Sequence, residues 1–330
     1  MYNTFTEFLE NKQRICIIQA ENPDGDSLGS ALALDYLLED KDISLYCPVE
    51  IPKYLHYMPD WSRVTKEFDF IADGYIIVDT AADILLSKLL DDLAIKKRLN
   101  TSEVFVLDHH ETEDDLSFAH KGLIQILPAC CDLIYKIAIE QDIKINAKAA
   151  EYLMCGILSD TLGLTSMSTT SDTLRVVAEL IDCGVNISDV EENRRDFMKK
   201  SQKIFNYKAD LIKRTEFFMD GTLATVHIPW SDIKEYSDDY NPNVLILEEL
   251  RLVEGIEVAA CVKTYPDGKV TGKIRGTKHF PYADELAEYF GGGGHPYAAG
   301  FRTYDINYDE AVHELIDAIY KIKKEHDETL

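Results

Sequence analysis

Paired cysteines, long apolar runs and an excess of positive charge are all missing from this 330-residue chain. Its seven cysteines are an odd number, Cys130 and Cys131 are adjacent, and no CxxC spacing occurs. That argues against a disulfide framework and against a thiolate zinc site, and it predicts reduced thiols in a cytoplasmic protein. No uncharged apolar stretch approaches the roughly 18–20 residues needed to cross a bilayer. Met1–Arg14 is polar and acidic and has no apolar h-region, so no secretory leader is expected. Lysine and arginine number 34 against 59 acidic residues, a formal charge of −25. Proteins hold long nucleic acids by neutralising phosphates with Lys and Arg, and this balance is a poor basis for it. A short anionic substrate stays compatible where bound metal ions supply local positive charge. Internal repeats and low-complexity segments are absent as well.

What is present is an alternation of short β-branched runs with amphipathic stretches, in a chain long enough for two ordinary domains. Arg14–Ile18 has the character of a buried strand and ends at the turn cluster Asn22-Pro23-Asp24-Gly25. Ser27–Leu38 then has a helical pattern. Tyr75–Val78 and Val104–Leu107 are two more buried strands, each followed at once by an aspartate, Asp79 and Asp108. Ala147–Leu158 is an apolar helix running into Ser159 and Asp160. Strand-like segments recur at Leu223–Ile228, Val258–Thr264 and Val270–Ile274, with a hairpin signal at Pro266-Asp267-Gly268, before two helices near the end. The expected fold class is α/β. A mostly parallel-sheet domain should occupy residues 1–190, a charged connecting helix 191–215, and a smaller α/β domain 216–330. Parallel sheets bind ligands beyond the carboxyl ends of their strands, which is where the acidic residues fall.

Asp24 and Asp26 leave a strand through one tight turn, so both carboxylates can serve the same space. Alone, the segment reads equally well as an Asx turn with a serine cap. His109 and His110 beside Asp108 offer nitrogen and oxygen donors of the kind that Mn2+, Zn2+ or Fe2+ accept. Asp160, at the end of an apolar helix, is badly placed for a buried carboxylate unless a cation compensates it. Near the C-terminus, Gly291–Gly294 precede His295. Successive glycines let backbone amides approach a phosphate, and Arg275 upstream can grip one bidentately. The alternative is a glycine hinge with an incidental histidine.

Taken in this order, the Asn-Pro-Asp-Gly-Asp-Ser loop at 22–27, Asp79, Asp108-His109-His110, Ser159-Asp160-Thr161 and the Gly-Gly-Gly-Gly-His run at 291–295 resemble the DHH phosphoesterases. The layout is most similar to the branch of stand-alone nano-RNases and 3′-phosphoadenosine phosphatases. The resemblance implies a dinuclear centre, commonly of Mn2+ with Mg2+ as the alternative ion. Asp24 and Asp79 would serve the first metal, and Asp26, Asp79, His109 and Asp160 the second. His110 would be the catalytic residue, as a proton donor or electrostatic stabiliser, and Arg275, Gly292, Gly293, Gly294 and His295 would bind substrate. The implied activity is hydrolysis of short oligonucleotides, of 3′-phosphoadenosine nucleotides, or of both. The alternatives are a cyclic-dinucleotide phosphodiesterase and a nucleotide-binding protein without turnover. The partner is a short oligonucleotide or nucleotide, not a long duplex or a membrane; a homodimer is left open. A pyrophosphatase or exopolyphosphatase shares the first four motifs, but the glycine-histidine run belongs to the nucleotide-handling branch.

Two departures stand out. The family places a metal-ligating histidine three residues before the proline of the first motif, where this chain has Ala20. Either the first metal is held weakly or catalysis is lost. Gln19 and Glu21 flank the gap, but alternation along a strand end turns them to the other side. Near Arg275 the family usually has serines where this chain has Lys273 and Gly276.

Overall fold

The computed structural model describes residues 2–111 and 114–327. The chain divides at residues 199 and 200 into two compact units, each with its own sheet and cores.

The first unit is built on six strands: β1 (Arg14–Ile18), β2 (Asp42–Tyr46), β3 (Val64–Thr65), β4 (Gly74–Val78), β5 (Val104–Asp108) and β6 (Lys121–Ile124). All pair in parallel, in the order β3-β2-β1-β4-β5-β6. The unit's helices are α1 (Asn3–Leu9), α2 (Gly25–Leu37), α3 (Ser87–Leu90), α4 (Leu93–Asn100), α5 (Cys130–Glu140), α6 (Ala147–Asp160), α7 (Ser171–Asp182) and α8 (Ile187–Phe197). Strand alternation sends Ile15 and Ile17 into the core with α2, α5 and α6, and Cys16 and Ile18 into the core with α3 and α4. A sheet buried on both faces needs near-continuous apolar strands, which explains runs such as Tyr75–Val78. Strand order reverses between β1 and β4. That switch point opens a crevice at the carboxyl ends of the strands.

The second unit contains α9 (Gln202–Arg214), β7 (Glu216–Phe218), β8 (Leu223–Ile228), α10 (Trp230–Tyr236), α11 (Pro242–Arg251), β9 (Val258–Thr264), β10 (Lys269–Gly276), α12 (Ala283–Glu288), β11 (Gly293–His295), β12 (Ala298–Tyr304) and α13 (Tyr308–Asp327). Its sheet runs β11-β12-β10-β9-β8-β7 and is antiparallel except for β8 with β9. One face packs on α12 and α13, and part of the other on α9 and α11.

Where charge patterning predicts one connecting helix over 191–215, the chain forms two. α8 stops at Phe197 and α9 starts at Gln202, because the Ser201 hydroxyl accepts the Ile204 N–H at 3.3 Å and caps a new helix. The division between units falls in this break. Among the described residues no helix is long and apolar enough to cross a membrane.

Candidate metal centre

The loop after β1 delivers two carboxylates. Asp24 caps α2: its Oδ1 accepts the Asp26 and Ser27 N–H groups at 3.0 and 2.9 Å, and Ser27 Oγ accepts the Asp24 N–H in return. The cap uses one oxygen and leaves Oδ2 for other work. Asp26 is fully buried and accepts the N–H groups of Cys130 and Cys131 at the start of α5. Helices α2, α5 and α6 meet closely here, since a Cβ at Gly156 would come 2.2 Å from Cys131 Sγ and 2.6 Å from Asp26 Oδ1.

Asp79 follows β4 with a φ of +64°, a left-handed conformation unusual for a side-chain-bearing residue. Its Oδ1 is buried and has no hydrogen-bond partner among the described residues. His109 follows β5. Its Nδ1 lies 2.9 Å from the Leu127 carbonyl oxygen, which can only accept, so the proton sits on Nδ1. Nε2 is thereby turned toward three carboxylates: Asp79 Oδ1 and Asp160 Oδ2 at 3.3 Å, and Asp26 Oδ2 at 3.7 Å. His110 is oriented by Asp108, whose Oδ1 stands 2.7 Å from its Nδ1 and also accepts the His109 N–H at 2.8 Å. The two imidazoles lie 4.2 Å apart.

Electrostatics marks this as a site short of positive charge. Burial, then the charge of Asp160, lifts the Asp26 carboxyl to about 6. Burial, then Asp26, lifts Asp79 well above the ordinary range, and burial raises Asp24. Burial opposes a proton on His109, yet the Asp160 and Asp79 carboxylates 3.3 Å from Nε2 and the pull of Asp26 outweigh it and carry the ring to about 11. Several acids crowded in a buried space favour protons when no cation is present, and a divalent ion relieves that cost.

The residues fit such an ion. Among the described residues, buried Asp79 Oδ1 and His109 Nε2 both lack hydrogen-bond partners. Two donor sets have ligand atoms within 4.8 Å of one another: Asp26, His109 and Asp160, and Asp79, His109 and His110. The structure thus brings together Asp26, Asp79, His109 and Asp160, with Asp24 near enough for its charge to act on Asp79. It also draws His110 into a donor set, where the sequence suggested a proton donor or electrostatic stabiliser. Sequence reasoning missed the Leu127 carbonyl and the amides of Cys130 and Cys131, which carry no side-chain signature. It took Asp108 as an oxygen donor beside the histidines, whereas its Oδ1 is spent on holding them.

Beside the gap at Ala20, Glu21 is engaged by Ser87 Oγ and the Lys88 N–H. Gln19 is fully buried, and neither atom of its amide has a partner among the described residues.

Arg275, Gly292–Gly294 and His295 lie in the second unit. Gly293–His295 form β11, paired with β12. Gly292 and Gly294 are required by that pairing, since a Cβ would come 2.3 Å from the Gly300 carbonyl oxygen or 2.6 Å from that of Ala298. At Gly293 the space is open. Arg275, on β10, reaches Glu248 through Nε at 3.5 Å.

A carboxylate and imidazole cluster at the switch point of a parallel sheet defines a metal-centred enzyme of α/β class. Residues 14–157 match the DHH family N-terminal domain, and residues 234–325 match the DHHA1 domain. The chain belongs to the DHH family of phosphoesterases and is a phosphoric ester hydrolase. It is 27% identical to the bifunctional oligoribonuclease and PAP phosphatase NrnA of Thermus thermophilus, over 90% of this chain and 86% of that one. It is 25% identical to the cyclic-di-AMP phosphodiesterase PdeA of Listeria monocytogenes, over 95% of this chain and 48% of that one. Among solved structures, an exopolyphosphatase-related protein from Bacteroides fragilis shares the fold with a TM-score of 0.84 at 20% identity, covering 98% of this chain and 96% of that one.

Proposed function

We propose that this protein is a manganese-dependent phosphoesterase that hydrolyses short oligonucleotides and 3′-phosphoadenosine nucleotides. The observation that carries the reading is the turning of His109 Nε2 toward Asp26, Asp79 and Asp160, in a chain similar along most of its length to an oligoribonuclease and PAP phosphatase. Asp26, Asp79, His109 and Asp160 would hold one ion, and Asp24 with Asp79 a second; mixed oxygen and nitrogen donors suit manganese, with magnesium as the alternative. When bound, such ions supply Lewis acidity toward a phosphoryl oxygen and lower the pKa of water.

The chain's own residues do the rest. The Leu127 carbonyl keeps the His109 proton on Nδ1, so Nε2 keeps its lone pair for the centre. Asp108 holds His110 through Nδ1, which frees Nε2 to give a proton to the oxygen that leaves phosphorus. Arg275, His295 and the backbone around Gly293 would take a substrate phosphate; Gly292 and Gly294 serve first to let β11 and β12 approach. All seven cysteines are free thiols, in keeping with a cytoplasmic location.

Similarity to a cyclic-di-AMP phosphodiesterase over 95% of this chain favours that activity as a second reading. Hydrolysis of a dinucleotide, 3′-phosphoadenosine phosphate, cyclic-di-AMP and pyrophosphate with added Mn2+ tests both. Fastest turnover of the first two is expected. Preference for cyclic-di-AMP would replace the first reading by the second, and cleavage of pyrophosphate alone would sink both.

A further inference from the structure

Between β2 and β3 the chain returns to the loop that carries Asp24 and Asp26, and it does so as a fixed body. Pro52, with a φ of −59°, leads into a single 3-10 turn over Lys53–Leu55. At three residues per turn, neighbours project about 120° apart, so burying Leu55 leaves Tyr54 on another side. Leu55, Tyr57 and Met58 enter the core that α2 and α6 share. The remainder is held by polar and ring contacts. The His56 ring stacks on Trp61 with centroids 3.5 Å apart, and Arg63 pairs with Asp35 of α2. Asp60 Oδ2 accepts the hydroxyls of Tyr36 and Tyr152, each at 2.7 Å. Tyr36 belongs to α2 and Tyr152 to α6, so the segment is tied to the two helices that supply Asp26 and Asp160.

The segment also touches the metal-binding loop itself. A Cβ at Gly25, between the two aspartates, would lie 2.4 Å from Ser159 Oγ and 3.7 Å from the Tyr57 hydroxyl. The Tyr54 hydroxyl donates to the Pro23 carbonyl oxygen at 3.2 Å, and Pro23 immediately precedes Asp24. Burial, then the charge of Asp24, raises that hydroxyl above its ordinary value, so it stays a neutral donor.

Tyr54 is the one ring of this segment left out of the packing. It is 52% exposed, and among the described residues it forms no ring stack and no cation–π contact. A tyrosine at the surface is ordinary by itself. This one differs because its polar end is engaged by the backbone of the metal-binding loop, which holds an open aromatic face beside the carboxylates. A ring fixed in advance loses little freedom when a ligand arrives. An aromatic side chain takes any base by stacking, without charge. That independence of charge has weight here, because Ala20 leaves the ion beside Asp24 one ligand short.

We propose that Tyr54 is a base platform: the nucleobase on the sugar that bears the metal-bound phosphate stacks on its exposed face. The inference rests on the nucleotide reading above and deepens it. A stacked base makes the first unit select nucleotides over phosphates that carry no base, pyrophosphate and sugar phosphates among them.

The test uses the full chain loaded with Mn2+ and two probes, adenosine 5′-monophosphate and its base-free counterpart ribose 5-phosphate, each titrated by calorimetry. The wild type should bind the nucleotide about tenfold more tightly, inside the roughly 5- to 150-fold that stacking of one base carries. Tyr54→Ala should weaken the nucleotide by that factor and leave ribose 5-phosphate unchanged, so that the gap closes. Tyr54→Phe keeps the ring without its tether and should retain most of the gap. The melting temperature of Tyr54→Ala should stay near that of the wild type, as for other exposed positions. A merely structural role would instead move both probes together. A gap that survives Tyr54→Ala, equal losses on both probes, or a wild type without preference for the nucleotide overturns the platform. Hydrolysis is scored separately. A wild type that shows the Tyr54-dependent gap and cleaves no dinucleotide fails the activity reading and leaves the platform standing. One that cleaves dinucleotides without such a gap keeps the activity and loses the platform.

Discussion

Asp108 Oδ1 lies 2.7 Å from His110 Nδ1 and 2.8 Å from the His109 backbone nitrogen, so one fully buried oxygen positions both histidines. The pairing fixes which nitrogen of His110 carries a proton toward Asp108 and which is left for chemistry.

Asp108→Asn should therefore cut kcat by about 10²–10⁴, as for loss of a general acid, while bound manganese stays near the wild-type level. His110→Ala should fall in the same range, and the double variant little further, since the two residues act as one unit. Rates and metal content measured on the three proteins check this. Additive losses, or loss of metal in Asp108→Asn, would show that Asp108 serves the centre rather than the acid.

Asp79 combines a left-handed backbone with a buried, unpartnered oxygen. Asp79→Ala should abolish hydrolysis more completely than any other single change, because the residue is proposed to bridge two ions. Asp79→Gly also lacks the carboxylate but relaxes the backbone, worth about 1–3 kcal/mol. Without metal it should melt above the wild type, by about 2–4 °C for each kcal/mol recovered in a unit of this size. A lower melting temperature would mean that the conformation is not strained.

Acidity should act on the metal-free protein in one direction. The folded Asp26 value of about 6 exceeds the ordinary carboxyl range, so its stability contribution is full below about pH 4 and is lost as pH rises through 6. His109, raised to about 11, contributes fully below about pH 6.5 and loses its contribution on the way to 11. Metal-free protein should thus lose stability from these groups as pH rises. Manganese binds the deprotonated forms, so the rise in melting temperature that it causes should be larger at pH 8 than at pH 5. A scan at both values with and without Mn2+ decides it; an equal rise at both would count against these groups as ligands.

Much of this was legible in the sequence for a physical reason. Asp24, Asp79 and His109 each follow a continuous apolar strand, and such strands end at the binding edge of a parallel sheet. β3 and β6 were missed because they are short edge strands, and β2 because only its last two residues are buried, so it lacks the continuous apolar run of β1 and β4. Leu127 was invisible because its role belongs to a carbonyl that any residue supplies. The glycine run was read as a phosphate cradle or a hinge, whereas two of its members are demanded by a strand, Ala298–Tyr304, whose pairing no local pattern announced. The break at 198–201 was hidden by charge on both sides, although Ser201 was its signal.

Ala20 most distinguishes this chain from the family pattern. The centre retains four candidate ligands for one ion but only Asp24 and the shared Asp79 for the other, and Asp24 already spends Oδ1 on the cap of α2. Losing an imidazole should weaken that ion at least by the roughly 10–100-fold that loss of a supporting group costs. Neither neighbour replaces it plainly: Glu21 is held by Ser87 and Lys88, and Gln19 is buried with its amide unpaired. Activity should accordingly keep rising with Mn2+ after the tighter site is full. Ala20→His should lower the Mn2+ needed for half-maximal rate, at a stability cost of about 1–3 kcal/mol for placing a ring where Ala20 is 7% exposed. Calorimetric titration of both proteins, alongside rate against Mn2+, measures each effect. Two equally tight ions in the wild type would mean that another group fills the gap, and Gln19→Ala would then test whether it is the buried amide. A wild type that binds both ions and gains nothing from Ala20→His would refute the weakened site outright.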